Sequence, residues 1–334
     1  MLPSRARTTA VAAAASAAAL ALSACGDSGE SDDTSSPAGA AASVSDEDSK
    51  ALDTIDVTAG SDDKAPTIKV GETPLTATET STKILTEGDG ESLADGASAK
   101  VDMALFNGKD GKALEQGETY TTDPAVLPMT VPEQFPGLVK AVQDQKVGSS
   151  GVAIIPPKDV FGEQGNPQLG IDGKDSLVLV FDVRGAVPEE AKGEEVAPKA
   201  GLPTVKYEKD KPASFTMPKS KPSTKLVSQP LVQGEGEKVK KGDTVYVSYT
   251  GATYRDGKVF DSSKKEGAGG PFPFQVGGGQ VIKGWDEGIE GQTVGSRMLL
   301  VVPPGKGYGK AGQPDAGIKG TDTLVFVVDI LDKA

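Results

Sequence analysis

The chain has 334 residues and a mass of 34.1 kDa, enough for two ordinary domains with flanking segments. It contains no histidine and one cysteine, which excludes histidine-based triads, histidine metal sites and an internal disulfide. A formal net charge of -13 argues against nucleic acid as a partner.

Residues 1–24 are predicted to be a secretion signal. Arg5 and Arg7 precede an alanine- and leucine-rich run that is too short for a convincing membrane span. The run ends in Ser23-Ala24-Cys25-Gly26, which resembles the bacterial lipoprotein signal, in which the cysteine is lipidated. On that interpretation Cys25 anchors an extracytoplasmic protein to the bacterial cell membrane. The alternative is an ordinary signal with an incidental cysteine.

Residues 25–53 are predicted to form a disordered tether. The segment is rich in Ser, Asp, Ala and Gly and has no apolar periodicity. Such a composition does not bury enough apolar surface to offset the entropy lost on folding. We therefore expect this segment to provide reach rather than recognition.

An internal repeat divides the rest of the chain into two copies of one fold. Gly88-Asp89-Gly90-Glu91 matches Gly234-Glu235-Gly236-Glu237 at a spacing of 146 residues, and later matches fall at 147. The repeat predicts a first domain at 54–187, a Glu-, Lys-, Ala- and Pro-rich linker at 188–203 and a second domain at 204–334. Whether 204–222 is linker or an added extended segment of the second domain stays open.

The second copy is predicted to build an apolar pocket around Trp285, the only tryptophan. A short strand carries Phe272 and Phe274, three glycines follow, and a helix then places Ile282 and Trp285 on one face. Further along, the pattern predicts a buried strand, a glycine-rich loop containing Tyr308 and a final strand, at 294–302, 305–320 and 323–331.

These residues stand in motifs whose order and spacing resemble the FKBP family of peptidyl-prolyl cis-trans isomerases, over about residues 228–334. The motifs are Val247-Ser248-Tyr249-Thr250-Gly251, Gly257-Lys258-Val259-Phe260-Asp261-Ser262-Ser263, Pro271-Phe272-Pro273-Phe274, Val281-Ile282-Lys283-Gly284-Trp285, Tyr308-Gly309 and Thr323-Leu324-Val325-Phe326. The resemblance implies the α+β class, with two FKBP-like domains, each a twisted antiparallel β half-barrel wrapped around one short α-helix.

The resemblance also assigns roles to residues of the second copy. Asp261, Tyr249 and Tyr308 would be catalytic: Asp261 would orient Tyr249 and favour the twisted carbonyl, and Tyr308 would donate its hydroxyl to a substrate carbonyl. Trp285 would lie beneath the prolyl ring. The other substrate-binding residues would be Phe260, Phe272, Val281, Ile282, Ile318 and Phe326. From the residues alone, the apolar side chains can equally be core, and Asp261 can be a turn cap.

The implied reaction needs no nucleophile, metal or cofactor. An X-Pro bond crosses a barrier of about 18–20 kcal/mol between forms that differ by only about 0.5–1 kcal/mol. A catalyst therefore has to bind the twisted amide better than either planar form. The implied partners are unfolded or folding proline-containing polypeptides of secreted or cell-envelope proteins, and macrolide inhibitors.

The two copies differ at the pocket. In the first copy the aromatic positions of the second are projected to become Met103, Leu114, Ala125, Leu138, Phe161 and Leu179, and Asp261 becomes Glu115. We therefore expect the first copy to fold alike and to catalyse poorly or not at all.

Two rival functions remain at this stage. The first is a non-catalytic, lipid-anchored chaperone or Pro-peptide-binding protein, which the first copy's losses favour and the second copy's residues disfavour. The second is a solute-binding lipoprotein, which needs alternating β-α units that the repeat does not provide.

Overall fold

The structure is a computed structural model of the chain, and it describes residues 46–334 except 62, 94–97, 130–132, 134–135, 209–210, 266–267 and 269. The predicted signal, Cys25 and the tether as far as residue 45 lie outside the described residues. Within the described part, no helix is long and apolar enough to cross a bilayer. The same residues contain no group of acidic side chains arranged to hold a metal ion.

The described elements are three short α-helices, six single-turn 3-10 helices and seventeen strands. The helices are α1 (Asp46–Asp53), α2 (Pro136–Val142) and α3 (Lys283–Ile289). The strands as far as the predicted linker are β1 (Ile55–Thr58), β2 (Thr67–Val70), β3 (Ser81–Thr86), β4 (Ser98–Asn107), β5 (Ala113–Leu114), β6 (Ala125–Leu127), β7 (Ser150–Ile155) and β8 (Leu177–Val187). The remaining strands are β9 (Gly193–Glu195), β10 (Thr204–Lys206), β11 (Ser214–Thr216), β12 (Val227–Gly234), β13 (Thr244–Thr253), β14 (Val259–Ser262), β15 (Phe272–Gln275), β16 (Arg297–Val302) and β17 (Leu324–Lys333).

Two antiparallel sheets of matching topology form the two domains. The first has the order β3-β7-β8-β4-β5, with β6 also paired to β4. The second has the order β14-β13-β17-β16-β12-β9, with β15 also paired to β13. Apart from β9, each strand of the second sheet has a counterpart in the first. The α+β architecture with two FKBP-like domains is therefore confirmed.

The strand register supports the residue-by-residue comparison of the two domains. Phe274 lies opposite Val245 in the second sheet, and Leu127 lies opposite Ala99 in the first. These pairs stand at spacings of 147 and 146 residues, as the sequence repeat predicts. Leu138 of α2 accordingly occupies the position that Trp285 occupies in α3.

Each core lies between one sheet face and its short helix. In β17 the alternate residues Leu324, Phe326, Val328 and Ile330 all pack into the core with Trp285, as the period of a strand requires. Val139 and Val142 of α2 join the corresponding core of the first domain. The helices are short, so their stability comes from this packing rather than from helix propensity.

Four predicted boundaries were wrong in detail. The last eight residues of the predicted tether form α1, whose Leu52 is buried against the first domain. Part of the predicted linker, β9, pairs with β12 and extends the second sheet. The strand predicted to begin at 294 begins at Arg297. Ile282 precedes α3 as its extended N-cap residue instead of lying within the helix.

The segment left open at 204–222 is not bare linker, because β10 and β11 pair as a hairpin. The hairpin of β1 and β2 precedes the first sheet in the same way. Both domains therefore begin with an added extended segment.

The two domains touch directly. A small buried cluster joins Val126 and Val187 of the first domain to Tyr246 and Leu331 of the second. Lys100 Nζ lies 2.8 Å from the Asp332 carboxylate across the same seam. The first domain therefore packs on the outer face of the second domain's sheet.

Candidate active site

The second domain contains an open cavity of about 500 Å³ beside α3. Its lining is mainly aromatic and aliphatic, with a few polar groups, as expected of a small-molecule or peptide site. The lining residues are Tyr249, Phe260, Asp261, Phe272, Gln280, Val281, Ile282, Lys283, Trp285, Gly307, Tyr308 and Phe326.

Trp285 forms the floor of this cavity, surrounded by other rings. It is 4 % exposed, and its ring centroid lies 5.0 Å from that of Tyr249 and 5.4 Å from that of Phe326. Both pairs are edge-to-face, the arrangement that aromatic quadrupoles favour. The packing fixes the indole while leaving one side on the cavity. The indole Nε1 has no hydrogen-bond partner among the described residues.

Two glycines allow this arrangement locally. A Cβ at Gly251 would lie 2.6 Å from the Phe326 ring and 2.8 Å from the Phe260 ring, so only glycine lets both rings pack over β13. Gly277 has φ of 74°, which a side chain would strain, and its N–H donates to the Asp286 carboxylate at 2.8 Å. This turn brings the chain from β15 directly into α3.

Asp261, at the cavity edge, accepts two short hydrogen bonds. The Tyr249 hydroxyl donates to Oδ2 at 2.6 Å, and Lys265 Nζ donates to Oδ1 at 2.7 Å. Burial alone would raise the pKa of Asp261, but the bonds from Lys265 and Tyr249 outweigh it and the pKa is lowered. Burial and the hydrogen bond to Asp261 raise the pKa of Tyr249. Near neutral pH the pair is therefore a carboxylate facing a protonated hydroxyl.

The rim of the cavity carries two exposed rings. Phe272 is 41 % exposed and Tyr308 is 39 % exposed, although large hydrophobic residues are usually more buried. Burial and the nearby charge of Asp261 raise the pKa of Tyr308, so its hydroxyl remains a donor. Apolar rings left open beside a polar donor are typical of a surface that accepts a peptide.

Nine of the ten pocket residues predicted from the sequence line this cavity. Ile318 does not: it is 3 % exposed and packs in the core, because its backbone pairs with Gln313 and turns the side chain inward. The structure therefore does not place Ile318 on the cavity, and its contact with substrate stays a prediction. Sequence reasoning missed Gln280, Lys283 and Gly307 as lining residues, although the first two flank the predicted Val281-Ile282 pair.

Comparison with known proteins agrees with the resemblance that the motifs of this domain show. The model of the FKBP-type peptidyl-prolyl cis-trans isomerase family matches residues 235–331. An FK506-binding protein of Streptomyces anulatus is 38% identical over 114 residues, which is 34% of this chain and 90% of that protein. The chain belongs to the FKBP family of peptidyl-prolyl cis-trans isomerases. Its C-terminal domain is the isomerase domain.

Two further matches cover larger shares of the chain. FkpA of Escherichia coli K12, an FKBP-type peptidyl-prolyl cis-trans isomerase, is 41% identical over 149 residues, which is 45% of this chain and 48% of that protein. The chain thus spans about half the length of this relative. The crystal structure of the three FKBP domains of wheat FKBP73 aligns at 22% identity with a TM-score of 0.34, covering 76% of this chain and 94% of that one.

Among the described positions that match the aromatic residues of the cavity, only Phe161 is aromatic in the first domain. Met103 and Leu179 are buried in its core, and Leu138 is only partly buried. Glu115, at the position of Asp261, is exposed. The first FKBP-like domain therefore keeps the apolar core and lacks the side chains that line the cavity of the isomerase domain.

Proposed function

We propose that the isomerase domain speeds the folding of secreted or cell-envelope proteins by isomerising their X-Pro bonds, and that the first domain is catalytically inactive. The observation that supports this most is the cavity floored by Trp285, with the Asp261–Tyr249 pair at its edge. A volume of about 500 Å³ accepts a prolyl ring with the residues on either side.

The cavity favours the twisted amide by excluding water. A planar amide has larger charge separation than a twisted one, so transfer from water into an apolar cavity costs the planar form more. The rings of Trp285, Phe260 and Phe326 supply this environment. Differential binding of this kind lowers the barrier without any covalent step.

The polar groups at the edge orient the substrate. Tyr308, with a protonated hydroxyl, donates a hydrogen bond to a substrate carbonyl and holds the peptide in register. Asp261 acts on the rotating carbonyl electrostatically, and it keeps Tyr249 in one orientation through the 2.6 Å bond. Neither group transfers a proton.

The direct test uses the full chain and a short X-Pro peptide. Cis-trans exchange is measured by NMR magnetisation transfer, which needs no coupled protease. The wild-type chain is expected to accelerate exchange, and Trp285→Leu is expected to remove most of the acceleration. A wild-type chain that binds the peptide without accelerating exchange would favour a Pro-peptide-binding chaperone instead.

The role on folding chains is tested separately. A secreted protein is denatured and refolded under conditions in which prolyl isomerisation limits the slow phase. The chain is expected to shorten that phase in proportion to its concentration, and a macrolide of the FK506 type is expected to compete for the cavity and abolish the effect. A slow phase that the chain leaves unchanged would contradict this role.

The location outside the cytoplasm rests on the signal and Cys25. Lipidation of Cys25 would hold the protein at the cell membrane without a spanning helix. The test is metabolic labelling with a radioactive fatty acid in a bacterial host, with Cys25→Ser as the matched control. Label that persists in Cys25→Ser, or that is absent from the wild-type chain, would contradict the anchor.

A further inference from the structure

A cluster of charged and aromatic side chains lies on the sheet face opposite the cavity. Asp329 of β17 is 1 % exposed there and accepts two bonds of 2.7 Å from the Arg297 guanidinium. A buried ion pair of this kind is costly unless further hydrogen bonds satisfy both partners.

Those further partners come from the segment that joins the two domains. We call residues 190–208 the strap. The Ala191 N–H donates to Asp329 Oδ2 at 3.0 Å, and the Tyr207 hydroxyl lies 3.3 Å from the same oxygen. The Tyr207 ring also stacks on the Arg297 guanidinium, 3.4 Å from ring centre to carbon. The strap thus supplies part of the pairing of Asp329 and Arg297.

The strap also holds the turn that follows Asp261. Lys264 Nζ lies 3.4 Å from the Glu190 carboxylate and 4.5 Å from the centre of the Tyr207 ring. The Lys264 side chain is only 11% exposed, so this contact is well shielded from solvent. The next residue, Lys265, makes the 2.7 Å bond to Asp261 in the cavity.

A second contact reaches the same hairpin. The Ala213 N–H donates to Thr250 Oγ1 at 3.1 Å, and Thr250 Oγ1 lies 3.0 Å from Ser262 Oγ. Ser262 follows Asp261 directly. The chain before the family-matched region, which begins at residue 235, therefore contacts the Asp261 hairpin at two places.

We propose that the strap positions the active site: by holding Lys264, it fixes the turn that presents Lys265 to Asp261. Tyr207 and Glu190 are the positioning residues, and they touch no substrate. The inference rests on the isomerase function proposed above for the same cavity. Without the strap, the turn would have more conformations, and the Lys265–Asp261 pair would form less often.

The experiment is a double-mutant cycle in the full chain. Tyr207→Leu is expected to lower kcat/KM about fivefold when Asp261 is present, and by less than about 1.5-fold in the Asp261→Asn background, since coupled sites are not additive. Tyr207→Phe retains the ring and is expected to stay close to wild type. Lys206→Ala, a neighbour whose side chain is 76% exposed, is the matched control.

A second measurement does not depend on activity. The pKa of the Asp261 carboxyl is followed by ¹³C NMR in wild type and Tyr207→Leu. The charged and titratable groups that face Asp261 are Lys265, Tyr249 and Tyr308, and freeing Lys265 should raise the pKa of Asp261. An inactive wild-type chain would count against the proposed function alone, because this pKa still tests the strap.

The proposal is overturned by equal losses of kcat/KM in the two Asp261 backgrounds, or by no loss in Tyr207→Leu. An unchanged pKa of Asp261 in a folded Tyr207→Leu chain would also overturn it. Folding of each variant is checked by thermal unfolding, and rates are normalised to the folded fraction.

Discussion

The two domains share a sheet topology, a strand register and a helix position, but in the part of the chain that the structure describes the aromatic floor and walls belong to the second. Met103 stands where Tyr249 stands, and Leu138 where Trp285 stands. Both changes keep the position apolar, so the core persists while the aromatic floor and wall are replaced. The comparison shows that the fold tolerates different apolar residues at these positions, and it predicts that the reaction depends on side-chain shape and polarity at a few of them.

The sheet faces opposite the two cores also differ, in the residue that bonds a shared aspartate. Asp182 and Asp329 occupy equivalent positions of β8 and β17, and each is bonded by a tyrosine. In the first domain that residue is Tyr120, from the loop after β5, and burial and Asp182 raise its pKa. In the second it is Tyr207, from outside the repeat. A tyrosine hydroxyl that bonds the carboxylate on the outer sheet face is thus supplied by two different parts of the chain.

The largest effect is expected when Trp285, the floor of the cavity, is replaced by the leucine that the first domain has at the same position, Leu138. Trp285→Leu should lower kcat/KM about 10- to 100-fold, a loss of about 1.4–2.7 kcal/mol of transition-state stabilisation. The reason is that leucine neither fills the cavity floor nor holds Tyr249 and Phe326 in edge-to-face contact. The loss in kcat/KM is measured from the cis-trans exchange rate of an X-Pro peptide by NMR.

Leu138→Ala in the first domain is the matched control and should leave kcat/KM unchanged. In the Trp285→Leu chain, Leu138→Trp should restore nothing, because Met103 and Ala125 provide no walls. Restored activity would show that the domains differ functionally at one residue only.

The next effect tests the carboxylate. Asp261→Glu, which copies Glu115, should lower kcat/KM about five- to tenfold, since the longer side chain keeps the charge and moves it away from Tyr249. A rate equal to that of wild type would show that the position of this carboxylate does not matter. The variant should bind peptide with a similar Kd, measured by Trp285 fluorescence.

A smaller effect is expected at the rim. Tyr308→Phe, which copies Phe161, removes a single hydroxyl from a residue that is 39 % exposed. One neutral hydrogen bond contributes about 0.5–1.5 kcal/mol, so KM should rise about two- to tenfold with kcat little changed. A fall in kcat alone would instead show that the hydroxyl bonds to the substrate only when its amide is twisted.

The smallest effect is expected from pH. The pKa of Asp261 is lowered below its ordinary value of about 3.9, and the pKa values of Tyr249 and Tyr308 are raised above about 10. The active form, with an ionised carboxylate and protonated hydroxyls, therefore persists from about pH 5 to 9, and kcat/KM should be constant there. Activity should fall only as the pH drops through the lowered pKa of Asp261. A bell-shaped profile centred near neutrality would contradict this assignment.

Much of the fold could be predicted because repeat spacing and the alternation of apolar residues are visible in the sequence itself. The spacing of 146 to 147 residues paired the two domains, and the alternation from Leu324 to Ile330 placed β17 against the core. The three glycines from Gly277 marked the turn that leads from β15 to the helix carrying Trp285.

What the sequence did not reveal depends on contacts between distant residues. Ile318 was predicted to contact substrate, yet its side chain packs in the core and its backbone pairs with Gln313. Residues 190–203 of the strap were predicted to be linker, and the segment containing Tyr207 was left open. Glu190 and Tyr207 gain their partners, Lys264, Arg297 and Asp329, only when the sheet has formed. Composition gave no sign of these contacts.

The indole of Trp285 has opposite effects on stability and on substrate binding, because its Nε1 has no hydrogen-bond partner among the described residues. A donor dehydrated without an acceptor costs about 1–3 kcal/mol, which phenylalanine at the same place would not incur. Phenylalanine would, however, offer a smaller platform to the prolyl ring. Among the described residues, the domain thus places a polar donor at its centre, where packing alone would favour an apolar ring.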